Sequence, residues 1–556
     1  MRSQESRYWE DKDAEAGESE EDESRSGSGS GSGSEDEEED DGDDNARGAA
    51  SGSVPLWPQS YRQSMDMYST LQSPNISLFS PGLHHRLSSS HLGSSYQRLP
   101  SDGPRTPPGT QPLRIPFLQP GQKDEESVLP YSHPIRKLED QFMPDSVYVP
   151  EIVKAPGSSF WQGLFNGMNV LAGVGVLTTP FALKEAGSIA VLYLCLLSII
   201  CFYTGILLRR CLESEAGLAT YPDIGQAAFG QTGRILISII LYTELYACCV
   251  EFLILEGDNL SALFSGAHLS FGGVHIDSKT CFTLLTAMFV LPTVWLRDLS
   301  YLSYLSAGGV IASIVVAFSV LWVGALDGVG FQETGPVFKL SGLPVSIGLF
   351  GFCYSGHAVF PNIYSSLRNR NDYNKVLGVS FTLCTLLYAG MAVMGFKMFG
   401  SETASQITLN LPKQFLASKI AVWTTVVNPF TKFALTMTPV ALSLEELLPV
   451  GPESVKHRSA SIAIRTALVI STIGVAVLVP FFGFVMAFIG SFLSMTVSLI
   501  LPCACYLAIF SKKVSVLQAM LCVTVMLIGF ICLVLGTYSS VSGIIASYSD
   551  VPTLLH

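Results

Sequence analysis

Three acids and two glycine–proline pairs are the residues of this chain whose types and spacing could do chemistry. Glu244, Glu251 and Asp258 recur every seventh residue in a stretch that is otherwise almost wholly apolar. That spacing returns to nearly the same face of an α-helix, whereas Glu256 lies about 140° from Glu251 at 100° per residue. A charge at the centre of a bilayer costs at least ~2.5 kcal/mol, so such acids are neutral, paired or functional. A carboxyl that gains and loses a proton at the working pH would couple proton movement to another event. The plainer alternative is a hydrogen bond to a neighbouring helix. Glu251, inside the stretch, is the first candidate for coupling, with Glu244 and Glu256 behind it. His357 is the one histidine well within an apolar stretch. An imidazole with an ordinary pKa of about 6.5 suits a proton switch, and it also serves as a packing residue.

The second feature is a pair of breaks. Phe160–Ala182 is long enough to cross a bilayer, yet its middle reads Ala-Gly-Val-Gly-Val, and Pro180 follows five residues after Gly175. Gly356 and Pro361 repeat that spacing, and an offset of 181 also carries Gly167 onto Gly348. In lipid every backbone group must be bonded internally, so such an interruption belongs where protein shields it or where it lines a cavity. There it leaves amides and carbonyls for a small charged ligand; the alternative is a glycine seam for close helix packing. Interrupted segments at matching positions of two halves point to the binding site of a transporter.

The elements that must position these groups follow from composition. The 556 residues are 48% hydrophobic and 14% charged, with mean hydropathy +0.38. Residues 1–50 hold 19 Asp/Glu against five Lys/Arg, so the net charge of −13 is an acidic tail on a nearly neutral body. Residues 1–155 lack periodic apolar segments and cannot offset chain entropy by burial, which predicts a disordered cytosolic tail. Its Ser73-Pro74, Ser80-Pro81 and Thr106-Pro107 pairs suit proline-directed kinases, making kinases and regulatory proteins candidate partners of the tail. No apolar leader opens the sequence, so the first hydrophobic segment near 160 would direct membrane insertion. All twelve cysteines lie at Cys195 or beyond, without metal-binding spacing, and read as buried free thiols.

Hydropathy predicts an all-α polytopic membrane protein over 156–540. It has eleven spans, near 160–184, 187–212, 234–257, 279–296, 301–326, 343–367, 376–399, 416–444, 462–480, 482–509 and 514–538. Tight hairpins are expected at Glu185-Ala186, Arg297–Ser300 and Phe481. Lys and Arg near the span ends divide twelve to six in favour of a cytosolic N-terminus. An odd number of spans then leaves 541–556 as a short lumenal tail. The Asn259-Leu-Ser261 sequon falls on the lumenal side. Asp550 with Leu554-Leu555 has the form of a dileucine sorting signal on the wrong side of the membrane for adaptors to read.

Asn169-x3-Gly173-x-Gly175-x-Leu177-x2-Pro180, the run Cys249–Asn259 and the run Asn428–Pro439 resemble the amino acid/auxin permease family. The resemblance covers about 155–540 and is nearest to plant and fungal vacuolar-type amino-acid transporters and the vesicular inhibitory amino-acid transporter. It implies a five-plus-five inverted repeat of the amino acid-polyamine-organocation (LeuT-like) type with broken helices 1 and 6. It also implies proton-linked movement of amino acids and a vacuolar or other endomembrane location.

A zwitterionic amino acid would bring a carboxylate and an ammonium into a low-dielectric site, and unpaired they would cost several kcal/mol each. Amides near Gly173, Val174 and Gly175, at the start of the second half-helix, suit the carboxylate. Carbonyls near Ala172 and around Phe352, Tyr354 and Ser355 would accept the ammonium hydrogens. In the family pattern Asn169 faces the same cavity, and in sodium-coupled relatives it helps hold the ion. Asn428, Thr431, Thr436 and Thr438 lie where those relatives use a hydroxyl ligand. Leu435 and Met437 depart from that pattern, which argues for protons over sodium. Lys432, in mid-span, would pair with an acid or snorkel to an end.

The expected function is a proton-coupled carrier of mainly neutral amino acids, working by antiport at the vacuole. Its partners are the amino acid and the bilayer, with no nucleic acid and no cofactor besides the coupling proton. An amino-acid sensor signalling through the tail and an auxin-like carrier are the alternatives. No HExxH, P-loop, or GxSxG with partners is present, so the chain is not read as an enzyme.

Overall fold

The computed structural model describes residues 57–62, 64–65, 157–264, 269–271, 274–296, 308–333, 335–449 and 454–549. Proline and glycine place its breaks. Helix α1 (Phe160–Leu171) opens on a Ser159–Gln162 capping box. The chain leaves helical geometry at Ala172 and Gly173, makes one 3₁₀ turn over Val174–Leu177, and resumes as α2 (Thr179–Ala186). Pro180 sits in the first turn of α2, where a missing N–H leaves nothing unsatisfied.

Helix α3 (Ala190–Leu212) follows after Gly187, at φ 85°. Helix α4 (Tyr221–Leu263) is interrupted at Gly230, φ 69°, so a capped lead-in precedes the expected span. The antiparallel hairpin β1 (Leu269–Phe271) and β2 (Val274–Ile276) pairs Leu269 with Ile276. Then come α5 (Ser278–Val294) and α6 (Gly309–Ala325). The expected hairpin at Arg297–Ser300 lies outside the described residues.

The second break repeats the first: α7 (Leu343–Cys353) stops, and α8 (Phe360–Ser366) starts with Pro361 in its first turn. The remaining helices are α9 (Tyr373–Phe399), the short α10 (Ile407–Asn410), α11 (Leu416–Glu445) and α12 (Val455–Leu478). Helices α13 (Phe482–Phe488) and α14 (Leu501–Ile509) are joined by π-helical turns over Ile489–Ser494 and Thr496–Ile500. Helix α15 (Val516–Ser549) ends the described chain. It carries residues 541–549, expected as a lumenal tail, in continuous helix, because its apolar and small residues persist past 538. The dileucine at Leu554-Leu555 lies outside the described residues.

Helix α9 packs along both halves of the first broken helix, and α7 packs on α2, α13 and the π turns. Here the seam reading of the glycines holds: a Cβ on Gly348 would meet the Ala487 carbonyl, and one on Gly490 the Gly348 carbonyl. Among the described residues, six helices are long and apolar enough to cross a membrane. Leu192, Leu196 and Ile199 on α3 and Met520, Leu527 and Phe530 on α15 are exposed, as lipid-facing side chains must be.

One expectation is corrected. Residues 57–62, 64 and 65, within the stretch expected to be disordered, pack into the body, with Tyr61 and Met65 buried; the rest of 1–155, with its Ser-Pro and Thr-Pro pairs, lies outside the described residues. The Asn259 sequon is closed, since its Nδ2 donates to Leu255 O and Gln406 Oε1 and its Oδ1 accepts from Thr408, all in a buried setting.

At the end of α11, Arg465 of α12 is 4% exposed and donates through Nε to Glu445 at 2.7 Å and through Nη1 to the Val294 carbonyl. Glu445→Ala leaves a guanidinium buried without its counter-ion and should cost ~3–5 kcal/mol. A thermal midpoint in detergent equal to that of the wild type would contradict this.

Candidate functional site between two broken helices

The two breaks meet. A Cβ on Gly175 would stand 3.0 Å from Cys353 Sγ and 3.3 Å from Cys353 Cα, so this glycine is required for the close approach of α7. A Cβ on Gly173 would have nothing within 4 Å, which makes Gly173 the glycine that opens onto space. Val174 and Gly175 head the 3₁₀ turn, so their amides have no acceptor within it. Beside Gly173 is a cavity of about 20 Å³, lined by Val174, Leu177, Ser313, Thr424, Thr425 and Asn428. It has room for about one water-sized sphere and is far smaller than an amino acid.

Ser313 Oγ lies 2.9 Å from Ala172 O and 3.0 Å from Gly309 O with one proton to give, and Phe352 O accepts from the Ser355 amide at 3.0 Å and from the Tyr354 amide. The Tyr388 hydroxyl, on α9, donates to Leu171 O and lies 3.1 Å from Cys353 O, so one phenol ties both breaks together. Tyr388→Phe removes the donor these two carbonyls share, worth about 1–3 kcal/mol for buried groups. We expect uptake per folded protein to fall roughly tenfold on that scale; undiminished uptake would show that the tie is dispensable.

Of the acids, Glu244 is the one joined to a break. Ser355 Oγ and Ser494 Oγ donate to its Oε1 at 2.6 and 2.7 Å, linking α4, the second break and the π turns. Asp258 pairs with Lys279 at 2.6 Å and accepts from Gln406. Glu251 is 0% exposed and Glu256 1% exposed, and all four of their carboxyl oxygens are buried without a hydrogen-bond partner. Cys248 and Cys353 lie within electrostatic reach of Glu251. The seven-residue spacing thus marks three different environments on one helix: a bonded carboxyl, an unpartnered one and an ion pair.

His357 faces away from these acids. Its Nε2 lies 3.1 Å from Cys201 O and 2.9 Å from Thr204 Oγ1 on α3. A carbonyl only accepts, so Nε2 carries the proton in this arrangement. Tyr354 also turns from the cavity, with its hydroxyl bonded to Thr385 and its ring stacked on Phe381. On α11, Thr431 and Thr438 spend their hydroxyls on Asn428 O and Ala434 O, whereas Thr436 Oγ1 is buried with no partner.

Asn169 is 8% exposed and its Oδ1 has no partner. It and the Lys432 side chain close on the same point above Gly309. Lys432, 6% exposed, neither snorkels nor lies in an ion pair with any acid among the described residues. The sequence had offered those two roles, and the helix places the ammonium beside an asparagine instead.

Ser313, Tyr388, Thr425 and Ser494 were missed from sequence. Only Ser494 had a signal: Gly490, Ser491, Ser494 and Ser498 place small residues every three or four positions on an apolar span, the pattern of a close helix contact. A π-helical turn at that point is a common companion of functional sites.

The family model described as transmembrane amino acid transporter protein matches residues 156–548. The amino acid transporter AVT1B of Arabidopsis thaliana is 51% identical over 489 residues, 88% of each chain. AVT1C of the same plant is 51% identical over 505 residues, 89% of this chain and 90% of that one. The amino acid transporter ANT1, also from Arabidopsis thaliana, is 29% identical over 71% of this chain and 96% of its own. A solved Na+-coupled sialic acid symporter, substrate-bound and outward-open, aligns at 12% identity and TM-score 0.41 over 70% of this chain and 90% of that one, a likeness too slight to carry an argument. The matched family consists of carriers and not of enzymes. With the model spanning most of the chain and half the residues shared with AVT1B, this protein belongs to the transmembrane amino acid transporter family, the amino acid/auxin permeases.

Proposed function

We propose that the chain is a secondary active transporter of mainly neutral amino acids, coupled to protons and working by antiport across the vacuolar membrane. In this reading eleven helices cross the bilayer as two inverted five-helix repeats, the N-terminus is cytosolic and the C-terminus lumenal. The observation that carries it is the meeting of two broken helices, with an unpartnered buried acid, Glu251, within electrostatic reach of Cys353 at the end of α7. The Val174 and Gly175 amides, at the head of a turn, suit the substrate carboxylate. The Ala172 carbonyl has a lone pair left for the ammonium, whereas the Phe352 carbonyl, with two amide donors, would have to give one up to accept it. Asn169, Tyr354 through its carbonyl, and Ser355 complete the binding set; Glu244, Glu256, His357, Thr436 and Thr438 remain coupling candidates behind Glu251. The names of the relatives support an amino-acid substrate.

The reading is tested by uptake of labelled neutral amino acids into liposomes under an imposed pH gradient without sodium. Accumulation that follows the gradient is expected. Uptake that needs sodium and ignores the pH gradient would overturn the choice of proton.

A further inference from the structure

Residues 57–62, with 64 and 65, form an arm seated on one end of the helix bundle. Trp57 Nε1 donates to Ser443 O at 2.9 Å, and Arg234 donates to the carbonyls of Trp57 and Pro58. The amides of Gln59 and Ser60 both donate to the Glu446 carboxylate. Tyr61 is 1% exposed, and its hydroxyl donates to Ala358 O at 3.1 Å, inside the second break. The Asn362 side chain of α8 reaches Arg62 O. Trp57 and Tyr61 both set their rings against Tyr242 of α4.

Tyr61 and Met65, four residues apart, share one face of a short helical turn, and Trp57 lies on the non-helical backbone before it. Through Trp57 and Tyr61 the arm touches α4, the second break and the end of α11, three of the elements that build the site. Ala358, held by Tyr61, is three residues from Ser355, which holds Glu244. Burial, then the neighbouring Tyr242 and the acids Glu244 and Asp223, keep the Tyr61 phenol well above its ordinary pKa, so it stays a donor. The arm bridges α4, the second break and the end of α11, so any parting of these elements would have to release it.

We propose that residues 57–62, with 64 and 65, are a latch that closes this end of the carrier, so that release of the chain's own amino-terminal segment sets the transport rate. The flux arm of this proposal rests on the transport reading above; the seating of the latch does not. The test uses the full chain with Trp57→Ala, Tyr61→Ala and Met65→Ala combined, and separately Glu446→Gln, which weakens the anchor without touching the core. In wild type, the amides of Gln59 and Ser60 should exchange hydrogen slowly, and in both variants fast.

Initial uptake should rise about tenfold in the triple variant, since apparent activity scales with the open fraction. A peptide of residues 55–67 added to the vesicles should restore the slow rate, and a scrambled peptide should not. Wild-type amides that exchange as fast as in the free peptide would overturn the seating. Folded variants whose uptake equals or falls below wild type would overturn the latch. If the triple variant does not fold, Glu446→Gln decides on the same criteria. If neither wild type nor variants carry any amino acid while the amides stay protected, the transport reading fails and the seating stands.

Discussion

Gly173→Val should fold like the wild type and lose uptake by about a hundredfold, whereas Gly175→Val should lose the fold itself. The two positions differ by two residues and by what a side chain would meet. At Gly173, φ is −96° and ψ −152°, an extended conformation open to any residue, and no atom lies within 4 Å of an added Cβ. A valine there fills the space from which a carboxylate would reach the Val174 and Gly175 amides. A carboxylate left without donors in a site of low dielectric costs several kcal/mol, and 2.7 kcal/mol is about a hundredfold. At Gly175 the same side chain drives into Cys353, backbone included. Overpacking of that kind costs typically 1–3 kcal/mol or more, and here it separates the two breaks as well. Thermal midpoints and uptake on the same preparations check both. Equal loss of stability at the two positions would return both glycines to plain packing.

Glu251→Gln should uncouple the carrier. The carboxyl is fully buried and neither oxygen has a partner, so its charged form needs a proton, a substrate ammonium or a change of surroundings to balance it. Glutamine keeps the size and neutrality of the protonated acid and cannot release a proton. Exchange of one amino acid for another across the membrane should persist, while proton-driven accumulation should fall at least tenfold. Glu244→Gln is the informative contrast, because its partners Ser355 and Ser494 hold it in place in a way that glutamine oxygen can also satisfy. Accumulation lost with Glu244→Gln and retained with Glu251→Gln would move the coupling role to the bonded acid.

The breaks were legible because their cause is local. Glycine releases the helix and proline restarts it, and both show in the sequence at Gly175–Pro180 and Gly356–Pro361. The long apolar segments were legible for the same reason. What the glycines do was only half legible, since Gly173 and Gly175 differ by what stands opposite, and that is set by α7. Tyr388 lies in a span with nothing to mark it, and its value comes from two carbonyls that only the fold brings within reach of one hydroxyl. The acid stripe predicted one face, but each acid meets a different neighbour, so the spacing could not rank them. The arm was hidden by composition: averaged over 155 residues, Trp57, Tyr61 and Met65 disappear among acids, serines and glycines.

Substrate movement and proton movement should share one route through the carrier. The most direct measurement is proton flux through purified protein in sodium-free liposomes, recorded on adding each of a panel of amino acids. Neutral amino acids should elicit a proton flux in the wild type that is absent with Glu251→Gln. Amino-acid movement with no accompanying proton flux, or an equal flux in both proteins, would contradict it.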